Sequence, residues 1–141
     1  TLEECARQLD RCGLTNFGTV FADAARPQQV LDEAGRGAVD FLFSVAVFQH
    51  FPSKAYTKEV LETAADLMRE GGDGLVQVRH FDGSEKLRQK ESDYAKNVIY
   101  MTFFTTGEFS AMLAETGFTL LASERDLDGP KDHHEYFFFR K

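Results

Sequence analysis

His50 lies in the segment Val47-Phe48-Gln49-His50-Phe51-Pro52, directly after an apolar run that opens at Asp40 and closes at Ser44. An imidazole titrates near neutral pH, so at a strand end it can take a proton from a hydroxyl or amine nucleophile. A structural histidine is the favoured reading of the same place. Asp23 closes the segment Phe17-Gly18-Thr19-Val20-Phe21-Ala22-Asp23-Ala24. A carboxylate at the carboxyl end of a parallel strand faces the crevice where nucleotides bind in open α/β sheets. Its alternative role is to cap a helix beginning near Pro27. His80 and Asp82 end a further apolar run that starts at Gly74 and can approach the same crevice. Tyr94, Tyr100, Met101 and Phe103 can line a pocket for an apolar or aromatic small molecule, or else pack an inserted helix over Ser92 to Val98 onto the domain. No metal is expected, because no ligand spacing supports a site built from His50, His80 and Asp82. Ser-His-Asp, Cys-His and phosphate-loop arrangements are not visible.

The elements that must position these residues follow from periodicity. Thr1 and Glu4 form a capping box ahead of a helix with Leu2, Cys5, Ala6 and Leu9 on one face, stopping at Gly13. Phe17 to Phe21 reads as a short strand, and Pro27 opens a helix carrying Val30, Leu31 and Ala34. The Val39–Val45 strand is apolar on both faces, as in a central parallel strand covered by helices on each side. Ser53 caps a helix running to about Glu70, with Val60, Leu61, Ala64, Ala65 and Met68 as its apolar stripe and Gly71-Gly72 as its stop. Strand, polar switch, helix, glycine stop and second strand make one crossover unit. The mostly polar stretch from Phe81 to Phe104 is long enough to be a lid, a binding loop or a small extra helix. Thr105 and Glu108 form a second capping box for a helix ending at Gly117. Phe118 to Ser123 and Glu135 to Arg140 then read as an antiparallel pair joined at Asp128-Gly129-Pro130, with His133 and His134 on opposite faces.

Composition sets the class. The 141 residues suffice for one domain, 1–141, and 43% hydrophobic residues with fourteen Phe and no Trp point to a phenylalanine-rich core. A net charge of -7 argues against nucleic acid, which demands a basic patch. No run reaches the ~20 apolar residues of a membrane span, so no membrane association is expected. Cys5 and Cys12, seven helical residues apart, stand roughly 10 Å from each other, too far for a disulfide. They read as reduced core thiols of a cytoplasmic protein.

In this order the elements resemble the C-terminal part of a class I S-adenosylmethionine-dependent methyltransferase. Phe21-Ala22-Asp23-Ala24 looks like the end of the family's third strand, and Val39 to Ser44 with Gln49-His50-Phe51-Pro52 like its fourth strand and following motif. Leu67 to Gly72 resembles the helix end that commonly reads Leu-Lys-Pro-Gly-Gly, with Arg69-Glu70 in place of Lys-Pro. Phe104 to Phe109 through Glu115 to Phe118 resembles the late helix and sixth strand. The resemblance implies a Rossmann-like α/β sheet, mostly parallel with a C-terminal antiparallel pair, and S-adenosyl-L-methionine as cofactor. It places Asp23 on the adenine amino group and the backbone of Ala24 on the ring. It sets Ser44 and Val45 where a carbonyl accepts from the methionine ammonium, which can only donate. His50 falls beside the methyl-transfer point as the catalytic candidate, and His80, Tyr94 and Tyr100 fall on the side of a small-molecule acceptor. Many such transfers need alignment of nucleophile and methyl carbon rather than a base.

The family's first strand, glycine-rich loop and second strand have no counterpart after Thr1, so the chain reads as an incomplete methyltransferase domain starting just downstream of the main cofactor motif. In the family's sheet those two strands lie between the third and the fourth. Without them the Val39–Val45 strand has an open apolar edge, which favours Phe17–Phe21 sliding against it or a partner chain completing it as a homodimer over a disordered Phe17–Phe21 segment. The alternative to an enzyme is a non-catalytic methyltransferase-like module that binds a partner. A nicotinamide oxidoreductase fits less well, because no Tyr-x-x-x-Lys pair is present.

Overall fold

The computed structural model describes residues 2–18, 20, 27–81, 101–126 and 134–141. Among these residues four helices, α1 (Leu2–Arg11), α2 (Pro27–Ala34), α3 (Lys54–Leu67) and α4 (Thr106–Glu115), accompany five strands. The strands are β1 (Val39–Ser44), β2 (Met68–His80), β3 (Phe103–Phe104), β4 (Thr119–Arg125) and β5 (His134–Arg140). They form one sheet in the order β1-β2-β5-β4, with β3 also paired to β2. β1 and β2 run parallel, β5 is antiparallel to both β2 and β4, and β3 is parallel to β2. The chain is thus an α/β protein whose sheet closes on an antiparallel pair, as the turn at Asp128-Gly129-Pro130 leads one to expect. That turn itself lies outside the described residues.

Local signals act where the sequence puts them. Ser53 Oγ accepts from the Tyr56 amide at 3.1 Å and starts α3. At α4 the capping box is complete: Thr105 Oγ1 accepts from the Glu108 amide, and Glu108 accepts from the Thr105 amide. Burial raises the Glu108 carboxyl, but hydrogen bonds from Lys54 and from Thr105 outweigh it and hold the group below its ordinary value.

The core fills one face of the sheet. Leu61 and Ala64 of α3, Phe109 and Leu113 of α4, and Val76, Val78, Phe137 and Phe139 of the central strands pack together with Phe48, Phe104 and Phe118. Aromatic rings pack edge-to-face or tilted along this layer, Phe109 with Phe104 at 5.2 Å and with Phe137 at 4.7 Å. At Gly74 a methyl group would stand 2.2 Å from the Phe139 ring, so only glycine lets that ring lie on the strand.

Four expectations are corrected. α3 stops at Leu67, because Met68 leaves the helix and pairs with Val39 as the first residue of β2. Gly71-Gly72 is therefore a bend inside β2: Gly71 has φ +77°, and both residues exchange backbone bonds with Lys141. Phe17, Gly18 and Val20 belong to no strand, while Thr19 and Phe21 lie outside the described residues. Among the described strands β1 pairs with β2 alone, and a strand without a neighbour has nothing to satisfy its backbone. β1 buries only one of its faces: Leu42 packs on the core, whereas Phe41 and Phe43 are 57% and 67% exposed. α3 and α4 both lie on the Leu42 side, and no described helix covers the other. Cys5 and Cys12 are unpaired, but exposed rather than in the core, because α1 contributes no residue to the core cluster. No helix among the described residues is long and apolar enough to cross a membrane.

Substituting Gly74 by alanine forces the Phe139 ring away and lowers stability by about 2 kcal/mol, in the range for overpacked cores. Gly107, with no atom near its missing Cβ, gains about 0.5–1 kcal/mol as alanine because it sits in a helix. Urea midpoints of the two variants against the parent measure both. The Glu108 contribution to stability is present above an unfolded value of about 4.5 and fades as pH falls through the lower folded value. Glu108→Gln is accordingly expected to flatten the acid limb of the unfolding curve.

Candidate functional site

β1 ends at Ser44, opposite Val76 of β2, and β2 continues four residues further to His80. Beyond Ser44 the chain turns sharply. Ala46 has φ +60°, a conformation unusual for a residue with a side chain. Its amide donates to Gln77 Oε1 at 2.8 Å, and Gln77 Nε2 donates to the Tyr136 hydroxyl at 2.9 Å. A buried glutamine thus holds the turn to β2 and β5 and offsets the strain at Ala46. Ser44 is half-buried and Val45 is exposed at this rim.

The turn leads into a single 3₁₀ turn, Phe48–His50, closed by bonds from His50 to Val47 and from Phe51 to Phe48. Gln49 is buried, and its carbonyl accepts from the Thr102 amide at 3.0 Å; Thr102 Oγ1 donates to the Phe51 carbonyl at 2.8 Å. Two residues on, Phe104 pairs with His80. β5 takes the opposite edge of β2 at Arg79, so β3 continues the edge that β1 leaves. The segment Thr102–Phe104 therefore joins the His50 turn to the His80 strand end.

His50 is exposed, with its Nε2 3.1 Å from Gln49 Nε2. An amide nitrogen only donates, so this imidazole nitrogen is the acceptor of the contact. The lone pair that a general base would use is engaged by Gln49. His80 is buried: its Nδ1 meets Glu135 Oε2 at 2.9 Å. Glu135 is 2% exposed, and both its oxygens accept from Thr106 Oγ1 at 3.0 Å, while Arg125 Nη2 reaches Thr106 Oγ1 at 3.2 Å. Asp23, Ala24, Tyr94 and Tyr100 lie outside the described residues. Among the described residues no group of three or more His, Cys, Asp or Glu is arranged to hold a metal.

Gln77, Glu135, Thr106 and Tyr136 escape a reading by motif. Phase could have found two of them. Glu135 alternates in step with Phe137 and Phe139, which places a carboxylate on a core face, and Gln77 interrupts Leu75-Val76-Val78 within an apolar strand. Glu135→Ala leaves His80 buried without its acceptor and is expected to cost about 3 kcal/mol. A double-mutant cycle with His80→Ala should then return a coupling above about 1 kcal/mol, read from urea denaturation. A coupling near zero sinks the pairing.

No family model and no curated protein matches the chain. Solved structures do. One is the 1,6-didemethyltoxoflavin-N1-methyltransferase of Burkholderia thailandensis, solved with 1,6-didemethyltoxoflavin and S-adenosylhomocysteine bound. It is 22% identical with a TM-score of 0.60, over 76% of this chain and 45% of that one. A S-adenosylmethionine-dependent methyltransferase of Methanosarcina mazei is 12% identical with a TM-score of 0.59, over 75% of this chain and 60% of that one. Another from Mesorhizobium loti is 13% identical with a TM-score of 0.63, over 100% of this chain and 77% of that one. The chain thus spans about half the length of the first two. The strand order, the antiparallel β5 and these likenesses together establish the α/β fold of the class I methyltransferases.

Proposed function

We propose that this chain is the C-terminal portion of a methyl-transfer domain, which moves a methyl group from S-adenosyl-L-methionine to a small-molecule acceptor by in-line displacement. The observation that carries the reading is the sheet β1-β2-β5-β4 with its strained, clamped turn at Ala46. That turn, with Val45 and Ala46 exposed, lies at the carboxyl end of β1, the location where open α/β sheets bind nucleotides. A small-molecule acceptor is supported by the Burkholderia structure, whose bound ligand is of that kind. In this reading Ser44 and Val45 offer carbonyls to the methionine ammonium, and Asp23 and Ala24 take the adenine. His80, Tyr94 and Tyr100 stand on the acceptor side. His50 orients the acceptor through its turn more readily than it removes a proton, since Gln49 occupies its lone pair. Alignment then supplies most of the rate, with transfer in line between nucleophile and methyl carbon.

We place the domain in the cytoplasm and give the rest of the cofactor site, a glycine-rich loop and an acidic strand end, to a segment that would complete the sheet beside β1. The second reading, a non-catalytic partner-binding module, draws on the same open edge and on exposed Phe41 and Phe43. A homodimer through that edge belongs to it.

Isothermal titration of the 141-residue chain with S-adenosyl-L-methionine separates the possibilities. Weak or undetectable binding is expected of the chain alone, with sub-millimolar affinity restored when the glycine-rich half is joined to it. Tight binding by the chain alone refutes the division of the site. Absence of binding by the joined protein refutes the enzyme and leaves the partner-binding module.

A further inference from the structure

Arg79 lies on β2 two residues beyond Gln77, so both side chains stand on the face of the sheet opposite α3 and α4. Its cross-strand neighbour is His134, and Arg79 Nη1 meets His134 Nε2 at 3.0 Å. A guanidinium only donates, so the imidazole accepts, and the contact satisfies one N–H without supplying any opposite charge. Arg79 Nε is buried and has no hydrogen-bond partner among the described residues. Arg36, Arg69 and Arg140 each face a carboxylate, of Asp66, Asp40 and Asp73 respectively. Arg79 has no such ion pair among the described residues. Burial pushes its guanidinium below its ordinary value, and no carboxylate among the described residues opposes that push.

A half-buried cation with no counter-charge among the described residues is costly to keep. Its place gives the cost a use. Arg79 stands three residues past Val76, the partner of Ser44, which is about 10 Å further along the strand. The next pair in the row, Gln77 and Tyr136, is joined at 2.9 Å and forms a polar floor on the same face. A group held at Arg79 is therefore well separated from the Ser44–Val45 backbone and lies toward the carboxyl end of β2.

We infer that Arg79 recognises an anionic group, a carboxylate or a phosphate, on the small molecule that this site accepts, using the terminal N–H groups of its guanidinium that His134 does not engage. The planar fork suits the two oxygens of either group. The identity of the ligand as a methyl acceptor rests on the function proposed above. Recognition of the anion does not, because it is read by binding and needs no methyl transfer.

The 141-residue chain is titrated with benzoate, phenyl phosphate and neutral benzamide while the Arg79 side-chain nitrogen resonances are followed by NMR. A saturable shift with benzoate or phenyl phosphate and none with benzamide is expected, and the stronger responder tells carboxylate from phosphate. Arg79→Gln should weaken that binding about tenfold or more, and Arg79→Lys, which keeps charge but not the fork, should weaken it less. Circular dichroism establishes that each variant is folded; if Arg79→Gln is not, unweakened binding by Arg79→Lys overturns the inference. An equal response to benzamide, no response at all, or full affinity in folded Arg79→Gln also overturns it. Displacement of benzoate by S-adenosylhomocysteine assigns the anion to the cofactor's own carboxylate and refutes the acceptor assignment.

Discussion

Two-sided pairing of β2 is the constraint from which the rest of the structure follows. β1 and then β3 take one edge of this thirteen-residue strand, and β5 takes the other along most of its length. A strand paired on both sides has its backbone groups satisfied and its register set, so each side chain is committed to one face. Val76 and Val78 go to the core, and Gln77 and Arg79 go to the opposite face. Glycines make the arrangement possible at its crowded end. Gly72 lets the Val39 and Asp40 carbonyls approach, and Gly74 takes the Phe139 ring against the strand. Asp73 between them is held below its ordinary value by the hydrogen bond from Arg140, which ties β2 to β5 at the same level.

The two faces of this sheet differ. One carries the phenylalanine-rich core under α3 and α4. The other carries an apolar row, in which Phe43, Leu75 and Phe138 are aligned by register, and beyond it the polar row of Gln77, Tyr136, Arg79 and His134. Phe41, Phe43 and Phe138 stay exposed among the described residues, and the outer edge of β1 has no described partner. Unpaired edges and contiguous apolar surface are features that soluble chains normally cover. The polar row begins where β1 ends, so the candidate site and the uncovered face share a boundary at Ala46.

Much of this was legible in the residues. The Ser53 cap, the Thr105–Glu108 box and Pro27 as a first helical residue are local, and local hydrogen bonds need only near neighbours in sequence. The antiparallel ending was legible too, because a turn between two apolar runs can return the chain on itself. Gly71-Gly72 misled for an instructive reason. Glycine serves a bend inside a strand as well as the end of a helix, and here Met68 is already in the sheet, with Lys141 bonding to the glycines. α1 misled likewise. Its apolar stripe promised a core face for Cys5, but a stripe says only that burial is possible and names no partner.

By itself, the sequence determined the kinds of elements, their order and the side chains able to do chemistry at the strand ends. Periodicity and capping act over a few residues, and this is why they survive into the structure. Only the tertiary structure decided which polar groups are brought together. Glu135 meets His80, Gln77 meets Ala46 and Tyr136, and Arg79 meets His134, all across more than thirty residues of chain. Such pairs arise from the register of β2 against β1 and β5, which depends on close approach at Gly72 and Gly74 and leaves no mark in local spacing.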